Sequence, residues 1–596
     1  METRKTFSDL GQLAQPAEAL SPYGFADKWR VVPYKTAELS GTMVVSLGHG
    51  NPPDITIPLN STGWHRIFVG VYTTGDAPGE LQVKLSGDAG FSTVSACLDI
   101  TFAEYAVQEF FWRCADITDQ NLILGKHLSG AAGAEACIAW VRVEPMSEQE
   151  QADYGALRKD AGSKRLYVSN DMHSSLCFHD MRRPDAWLDV VQEVAESDTE
   201  WLSVERPGTF GDEVVPQDAF AFPRSYDELC TKQRSTYTIE MLQALVEYGH
   251  RQGLKMCMSQ RTAWWGMGFP FDQSPYEDPF AIRHPEFRCV DRDGTALPQL
   301  SFCYPEVQEH VIGKLLWGLP AGFDALEMIM VRGFPYCLFE TPFLERFSKV
   351  YGQDARYLPL DDPRITEQRC AVMTEFVRRL RERIDAFAPT RTIRLHASVP
   401  FSLWDCKHMG LDVETWAKEG LITAVITHDR RVRERLPETL WQQDTQQLDL
   451  QAYHRYAAEG DPLVQYDYDF GFAPPLTDSC GVLRGPASQQ ERIAEFMELE
   501  HKYGVTVYVN LMPRAMPVGD YCARAEEIYQ CGCDHIALWD VNTRTCRKSE
   551  WAFTRWLGHK EELHKIASSA EKSFRKVRVL EIAGTDVSRY MPIWAG

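Results

Sequence analysis

A chain of 596 residues, 44% hydrophobic and 11% aromatic, is too long for one compact core and apolar enough to build at least two, which excludes a disordered polymer. A formal charge of -22 disfavours nucleic acid and anionic membranes as partners, because both are held by clustered Lys and Arg. No stretch approaches the ~20 consecutive apolar residues that span a bilayer, and the opening "METRKTFSDLGQ" lacks the apolar core of a signal peptide, so a cytoplasmic protein is expected.

In chain order, residues from about 27 to 146 read as short alternating apolar runs divided by Gly, Pro, Asn and Asp, as in "HRIFVGVYT", "GELQVKLSG" and "EACIAWVRVEP". That spacing predicts an all-β sandwich domain over residues 1–150. The polar stretch "SEQEQADYGALRKDAGS" marks a boundary near residues 150 to 163, beyond which strands alternate with helical stretches. The strand-like runs are "KRLYVSN", "TEWLSVER", "LKMCMSQR", "DALEMIMVRG", "TIRLHASVP", "ITAVITHD", "TVYVNLMPR" and "HIALWDVN", eight in all. Helical periodicity lies between most of them, for example in "TIEMLQALVEYGHRQG", "ITEQRCAVMTEFVRRLRERIDAF" and "ASQQERIAEFMELEHKYG". Eight βα units with long insertions predict an α/β fold, a (β/α)8 TIM barrel over residues 160–565, with residues 566–596 as a C-terminal extension. The stretch "PLVQYDYDFG" is a ninth strand candidate and leaves the register after the sixth strand open.

In such barrels the strand C-termini carry the chemistry. Standing there are Asp171 and His173, Glu205, Arg261 with Trp264 and Trp265, Arg332, His396, His428 with Asp429, Asn510 with Arg514, and Trp539 with Asp540. One buried acid is more often a satisfied ion pair or a helix cap than a catalyst, but here nearly every strand ends in an ionisable or aromatic side chain. Acids that protonate, attack or activate water, Arg and His that hold hydroxyls, and Trp that stacks on pyranose faces are what a sugar site requires. Phosphate-loop, dinucleotide, zinc-peptidase and serine-hydrolase motifs are missing from the sequence, which weakens those readings. "CGCD" at 531–534 has no second Cys or His pair at zinc spacing, and Gly532 reads as a helix C-cap, so the structural reading is favoured there; no cofactor and no metal site is assigned, and an unusual metal stays open.

The stretches "HPEFRCVDRDG", "YPEVQEHVIGKLL", "GFDALEMIMVRGFPY" and "FLERFSKVYGQDARYLPLDDPR" resemble the glycoside hydrolase family 10-like bacterial proteins, whose barrel runs from a His-Pro-Glu loop into a fourth strand. "GLDVETWAKEGLITAVI", "VTVYVNLMPRAMPVGDYCARAEEIYQCGCDHIALWD" and "WLGHKEEL" follow the same template, so the resemblance covers most of residues 164 to 565. "GWHRIFVGVY" and "AWVRVEP" look like the β-sandwich that often precedes that barrel. Relatives usually read Asp-Gly-Ile-Glu-Leu-Asp before an Arg at the end of strand four. Here Asp324, Glu327 and Arg332 match, and the last acid of the pattern is replaced by Ile329.

The expected function is hydrolysis of a small saccharide or glycoside by carboxylate chemistry at the barrel mouth. Glu205, at the end of an apolar strand where desolvation favours the proton, is the general-acid candidate. Asp429 and Asp540 are candidate nucleophiles or bases, with Glu327 in reserve, either working from deeper in the barrel or serving as a structural layer residue. Asp171, His173, Arg261, Arg332, His396 and His428 would bind substrate, and Trp265 and Trp539 would stack on it. Two alternatives stay open. One is a lyase in which His173 or His396 abstracts a proton and an Arg neutralises a uronate; the other is a catalytically silent saccharide-binding barrel, which the Ile329 departure favours. The sequence is compatible with a homo-oligomer.

Overall fold

Alternating Val, Ile and aromatic residues in the first quarter of the chain build two β-sheets, because a strand's successive side chains point to opposite faces. The structure is a computed structural model and describes residues 4–47, 50–73, 80–95, 105–126, 136–172, 185–206, 238–263, 278–331, 334–428, 442, 488–512, 516–539 and 548–589. The larger sheet has nine strands and runs Leu20–Ser21, Trp29–Thr36, Ser40–Ser46, Ala136–Pro145, Trp64–Thr73, Ala106–Asp116, Phe574–Ile582, Thr585–Asp586, with Lys5–Phe7 added on Ala136–Pro145. The smaller has four, in the order Ile55–Pro58, Asn121–Gly125, Glu80–Leu85, Ser92–Ser95. Val44, Ile67, Val69 and Val141 of the first share one buried cluster with Ile57, Val83, Leu122 and Leu124 of the second.

The stretch read as a C-terminal extension supplies a strand to this first unit. Phe574–Ile582 pairs antiparallel with Ala106–Asp116 on one side and with Trp29–Thr36 on the other. The pairings therefore pass through six strands and return to their start, so this late strand covers backbone edges that would otherwise be open. A buried carboxylate pins it: Glu109 accepts from Arg142 Nη2 at 2.7 Å, Arg575 Nε at 2.7 Å and Trp140 Nε1 at 2.6 Å. Desolvation alone would raise the Glu109 pKa, but these donors outweigh it and hold the group down at about 2.

Beyond residue 163 the eight runs read from the sequence form one closed parallel barrel in chain order. Its strands are Leu166–Asp171, Thr199–Glu205, Lys255–Arg261, Ala325–Ile329, Arg394–Pro400, Ala424–His428, Thr506–Asn510 and Ile536–Leu538. The intervening helices start and stop where local chemistry directs. Thr238 caps Ile239–Arg251, Asp362 caps Pro363–Phe387, and Ser488 caps Gln489–Tyr503 by accepting backbone hydrogens of the first turn. Gly532, at φ 89°, follows Val518–Gln530 in the left-handed conformation of a C-cap, which accounts for "CGCD" structurally. Outward residues such as Val168, Leu202, Met256, Leu326 and Val425 pack under helix residues Leu245, Ile312, Phe376 and Phe496 in the main core. Among the described residues no helix is long and apolar enough to cross a membrane, and no group of three or more His, Cys, Asp or Glu could hold a metal ion. "PLVQYDYDFG" lies outside the described residues.

Candidate active site at the barrel mouth

Every second residue of a barrel strand points inward, and the inward residues of alternate strands share a layer. The strand register assigns those layers here. Tyr167, Cys257, His396 and Tyr508 come from the odd strands; above them the even strands give Ser203, Glu327, Ile426 and Ala537. The next layer is Ser169, Ser259, Ser398 and Asn510, and the one nearest the mouth is Glu205, Ile329, His428 and Trp539. The buried cluster of Tyr167, Trp201, Cys257, Ala325, Ile426, Tyr508 and Ala537 follows the same alternation. The lower end is closed by Trp201, with Lys255 and Arg394 over its ring, and by Tyr508, whose hydroxyl donates to Glu200 Oε2 at 2.7 Å.

Glu327 belongs to the interior, two layers below the mouth. Its carboxylate accepts from the hydroxyls of Tyr167 at 2.8 Å, Ser203 at 2.5 Å and Ser398. Burial pushes its pKa up and the three hydroxyls pull it partly back. It lines a small cavity with Tyr167, Ser169, Ile426, Ala537 and Trp539 that has no room for a water-sized sphere. Of the two roles read from the sequence, the structural layer is the one these contacts describe, and the partners are hydroxyls of strands one, two and five. Asp324, the other acid of "FDALEM", serves the far end: its Oδ2 accepts from Met256 N at 2.9 Å and lies 2.8 Å from His250 Nε2.

His396 requires a correction. Expected to hold hydroxyls or to act as a lyase base, it lies a layer below Glu327, fully buried, with Nδ1 3.2 Å from the Tyr167 hydroxyl and its ring edge-on to Trp201. Desolvation, with smaller contributions from Arg394 and Lys255, lowers its pKa to about 3. A neutral imidazole enclosed by aromatic rings at that depth cannot reach a substrate at the mouth.

At the mouth, Glu205 ends the second strand with only 4% of its side chain exposed and faces Arg261 of the third, whose Nε lies 2.5 Å from Oε1. Arg261 Nη2 completes the fork at 3.4 Å from Oε2. Such a pair is a charge-assisted, two-point contact that fixes the orientation of the carboxylate at the mouth. Across the opening Ile329 and Val331 pack with Trp539, and the His428 ring meets Trp539 edge-on at 5.1 Å between centroids. Asn510, between strands six and eight, donates its backbone N–H to Thr427 Oγ1 at 3.3 Å. The structure thus brings Glu205, Arg261, His428 and Trp539 to one mouth. His173, Trp265, Arg332, Asp429 and Asp540 lie outside the described residues, as does the side chain of Asp171.

Sequence reasoning missed the hydroxyl cage of Tyr167, Ser203 and Ser398. The signal was present in "YVSND", "WLSVE", "MCMSQ" and "LHASV", where a serine recurs at an inward position of an otherwise apolar strand. A hydroxyl in such a run needs an interior partner, and the acid in "ALEMI" is that partner for two of them.

No family model matches the chain, and no curated protein matches it. Among solved structures it is similar to the glycoside hydrolase domain of PelA from Pseudomonas aeruginosa, at 11% identity over 64% of this chain and 97% of that one, with a TM-score of 0.29. It is similar to the catalytic domain of a beta-amylase from Paenibacillus polymyxa at 10% identity, 68% and 99% coverage and a TM-score of 0.36. An alpha-galactosidase from Thermus thermophilus aligns at 12% identity, 89% and 95% coverage and a TM-score of 0.30. The first is named as a glycoside hydrolase domain, the others as a beta-amylase and an alpha-galactosidase; at such values the similarity assigns this chain neither a family, family 10 included, nor a substrate.

Proposed function

We propose that the barrel mouth binds and hydrolyses a small saccharide or glycoside, with Glu205 as one of the reacting carboxylates. The observation that carries this reading is the buried Glu205 carboxylate at a strand C-terminus, forked by Arg261 in a mouth that also holds Trp539 and His428. Oriented by the Arg261 fork, Glu205 is assigned here as the nucleophile or as the base that activates water. The general acid is then sought in Asp429 or Asp540, which follow the ends of strands six and eight. The two carboxyls would stand about 5 to 5.5 Å apart for a retaining reaction or roughly 6.5 to 9.5 Å for an inverting one. The test is turnover of 4-nitrophenyl glycosides by the full chain and by Glu205→Gln. Turnover by the native protein that is lost in the variant supports the reading, and equal turnover by both removes Glu205 from it.

A second reading, a barrel that binds saccharide without cleaving it, is favoured by Ile329. That residue fills the mouth layer on strand four, where relatives in the resembling family carry an acid, and packs against Val331 and Trp539. Saturable binding of a sugar with no cleavage by the native protein would select it.

A further inference from the structure

Beneath Glu205, Ile329, His428 and Trp539 lies a layer of small polar residues, Ser169, Ser259, Ser398 and Asn510. Ser398 is committed to Glu327. Asn510 is not committed: its residue is 5% exposed, yet both the amide nitrogen and the amide oxygen are buried with no hydrogen-bond partner among the described residues. Trp539, at 4% exposed, carries an indole Nε1–H in the same condition, and it stands one strand over, just above Ala537, the ladder partner of Asn510. A buried amide left with a free donor and a free acceptor is costly, and native cores rarely keep one without a purpose. Here a donor and an acceptor stand on strand seven and an indole N–H on the adjacent strand eight, where Trp539 packs against Ile329 and Val331.

We propose that Asn510 is the specificity-determining residue of this mouth, its amide donating to one hydroxyl and accepting from the adjacent hydroxyl of an uncharged sugar ring seated beside Trp539. The inference rests on the saccharide reading above and deepens it. A carboxamide presents one donor edge and one acceptor edge in a plane, which matches two vicinal hydroxyls, each able to give and to take. It carries no charge, so it offers a uronate carboxylate nothing that it does not offer a neutral ring. A site whose buried polar groups wait for hydroxyls discriminates strongly against an analogue lacking one, since the orphaned group then stays unpaired in the complex.

Two measurements on the full-length chain test this. Thermal unfolding without ligand compares the native protein with Asn510→Leu, a near-isosteric change that deletes the orphaned groups. The melting temperature should hold or rise; a clear fall would mean that the amide has a structural partner and would overturn the proposal. Calorimetric titration then uses the methyl pyranosides of glucose, galactose and mannose, their monodeoxy analogues and their uronates. The native protein should bind at least one neutral glycoside, and at least one monodeoxy analogue should bind about tenfold or more weakly. Asn510→Leu should lose a similar factor for the parent glycoside and no longer distinguish it from that analogue. Unchanged affinity and discrimination in the variant would overturn the role of Asn510 while leaving the saccharide reading intact. If no probe binds the native protein, the saccharide reading fails and this inference falls with it, and a uronate preferred over every neutral glycoside rejects the neutral-ring assignment alone.

Discussion

The hydroxyl of Tyr167 donates to Oε2 of Glu327 across 2.8 Å, tying the first barrel strand to the fourth through the interior. Ser203 and Ser398 reach the same carboxylate, so one acid on strand four gathers strands one, two and five. Three hydroxyls converging on one acceptor make that acid a hub of the barrel, and the consequence is thermodynamic.

Glu327→Ala should destabilise the chain by about 3 kcal/mol or more, because three buried hydroxyls lose their acceptor at once. Glu327→Gln keeps the volume and isolates the proton. The folded pKa is raised above the unfolded value near 4.5, so the folded state holds its proton to higher pH than the unfolded chain does. Stability from this group is fully present below about pH 4.5 and is lost as pH rises through the folded-state pKa. Urea denaturation of both proteins across that range should show native stability falling relative to Glu327→Gln with rising pH, then running parallel. Parallel curves throughout would mean that the carboxyl is not perturbed.

His396 contributes with the opposite sign. Its pKa falls from 6.5 to about 3 on folding, so the unfolded chain takes up the proton first. The stability it contributes is present above pH 6.5 and is lost as pH falls towards about 3. His396→Gln should therefore lose less stability on acidification than the native protein, even if it costs about 1 kcal/mol at neutral pH through the lost contact with Trp201. Equal acid sensitivity in the two proteins would contradict a buried neutral imidazole.

The barrel was legible because each of its strands is a short apolar run bounded by turn residues and separated by helical periodicity, signals that lie within single segments. The mouth was legible only in part. Strand ends could be named, and Glu205, Arg261, His428 and Trp539 do gather there, but depth could not be read. His396 looks like a strand-end residue in "TIRLHASVP", yet four further strand residues follow it, to Pro400, and it ends below Glu327. Register between strands decides depth, and register is a property of pairs. The late strand Phe574–Ile582 escaped for the same reason, since Ala106–Asp116 and Trp29–Thr36, with which it pairs, lie more than four hundred residues earlier in the chain.

That strand gives a third prediction. A chain ending at Ser573 should retain the barrel sequence but lose solubility, because Ala106–Asp116 and Trp29–Thr36 would present unpaired edges and Glu109 would lose Arg575. Size-exclusion chromatography should find aggregate where the full chain runs as a defined species. Glu109→Gln in the full chain should weaken stability above pH 4.5 and change it little near pH 2, because the contribution of the depressed carboxyl is fully present above the unfolded value of 4.5 and is lost as pH falls through the folded value of about 2. A truncated chain as soluble and as stable as the full one would show that the strand is dispensable.

The last prediction concerns the pair at the mouth, where stability and activity should part. Arg261→Met removes the guanidinium fork from the buried Glu205 carboxylate and should cost about 3 to 5 kcal/mol at neutral pH. Glu205→Gln removes the charge instead and should cost much less. The double variant should recover most of the loss, because a buried pair replaced as a unit is often nearly neutral. Activity should not follow that pattern. On a glycoside that the native protein cleaves, Glu205→Gln should lower kcat at least about a hundredfold, and the stable double variant should be no better, since neither retains the carboxylate. Asp429→Asn and Asp540→Asn, made in parallel, should divide into one variant that loses turnover as deeply and one that changes it mildly, because one further carboxyl is needed to donate the proton. A double variant that regains turnover along with stability would reduce the Glu205–Arg261 pair to a strut, and the reacting acids would then have to be sought at Asp429 and Asp540 alone.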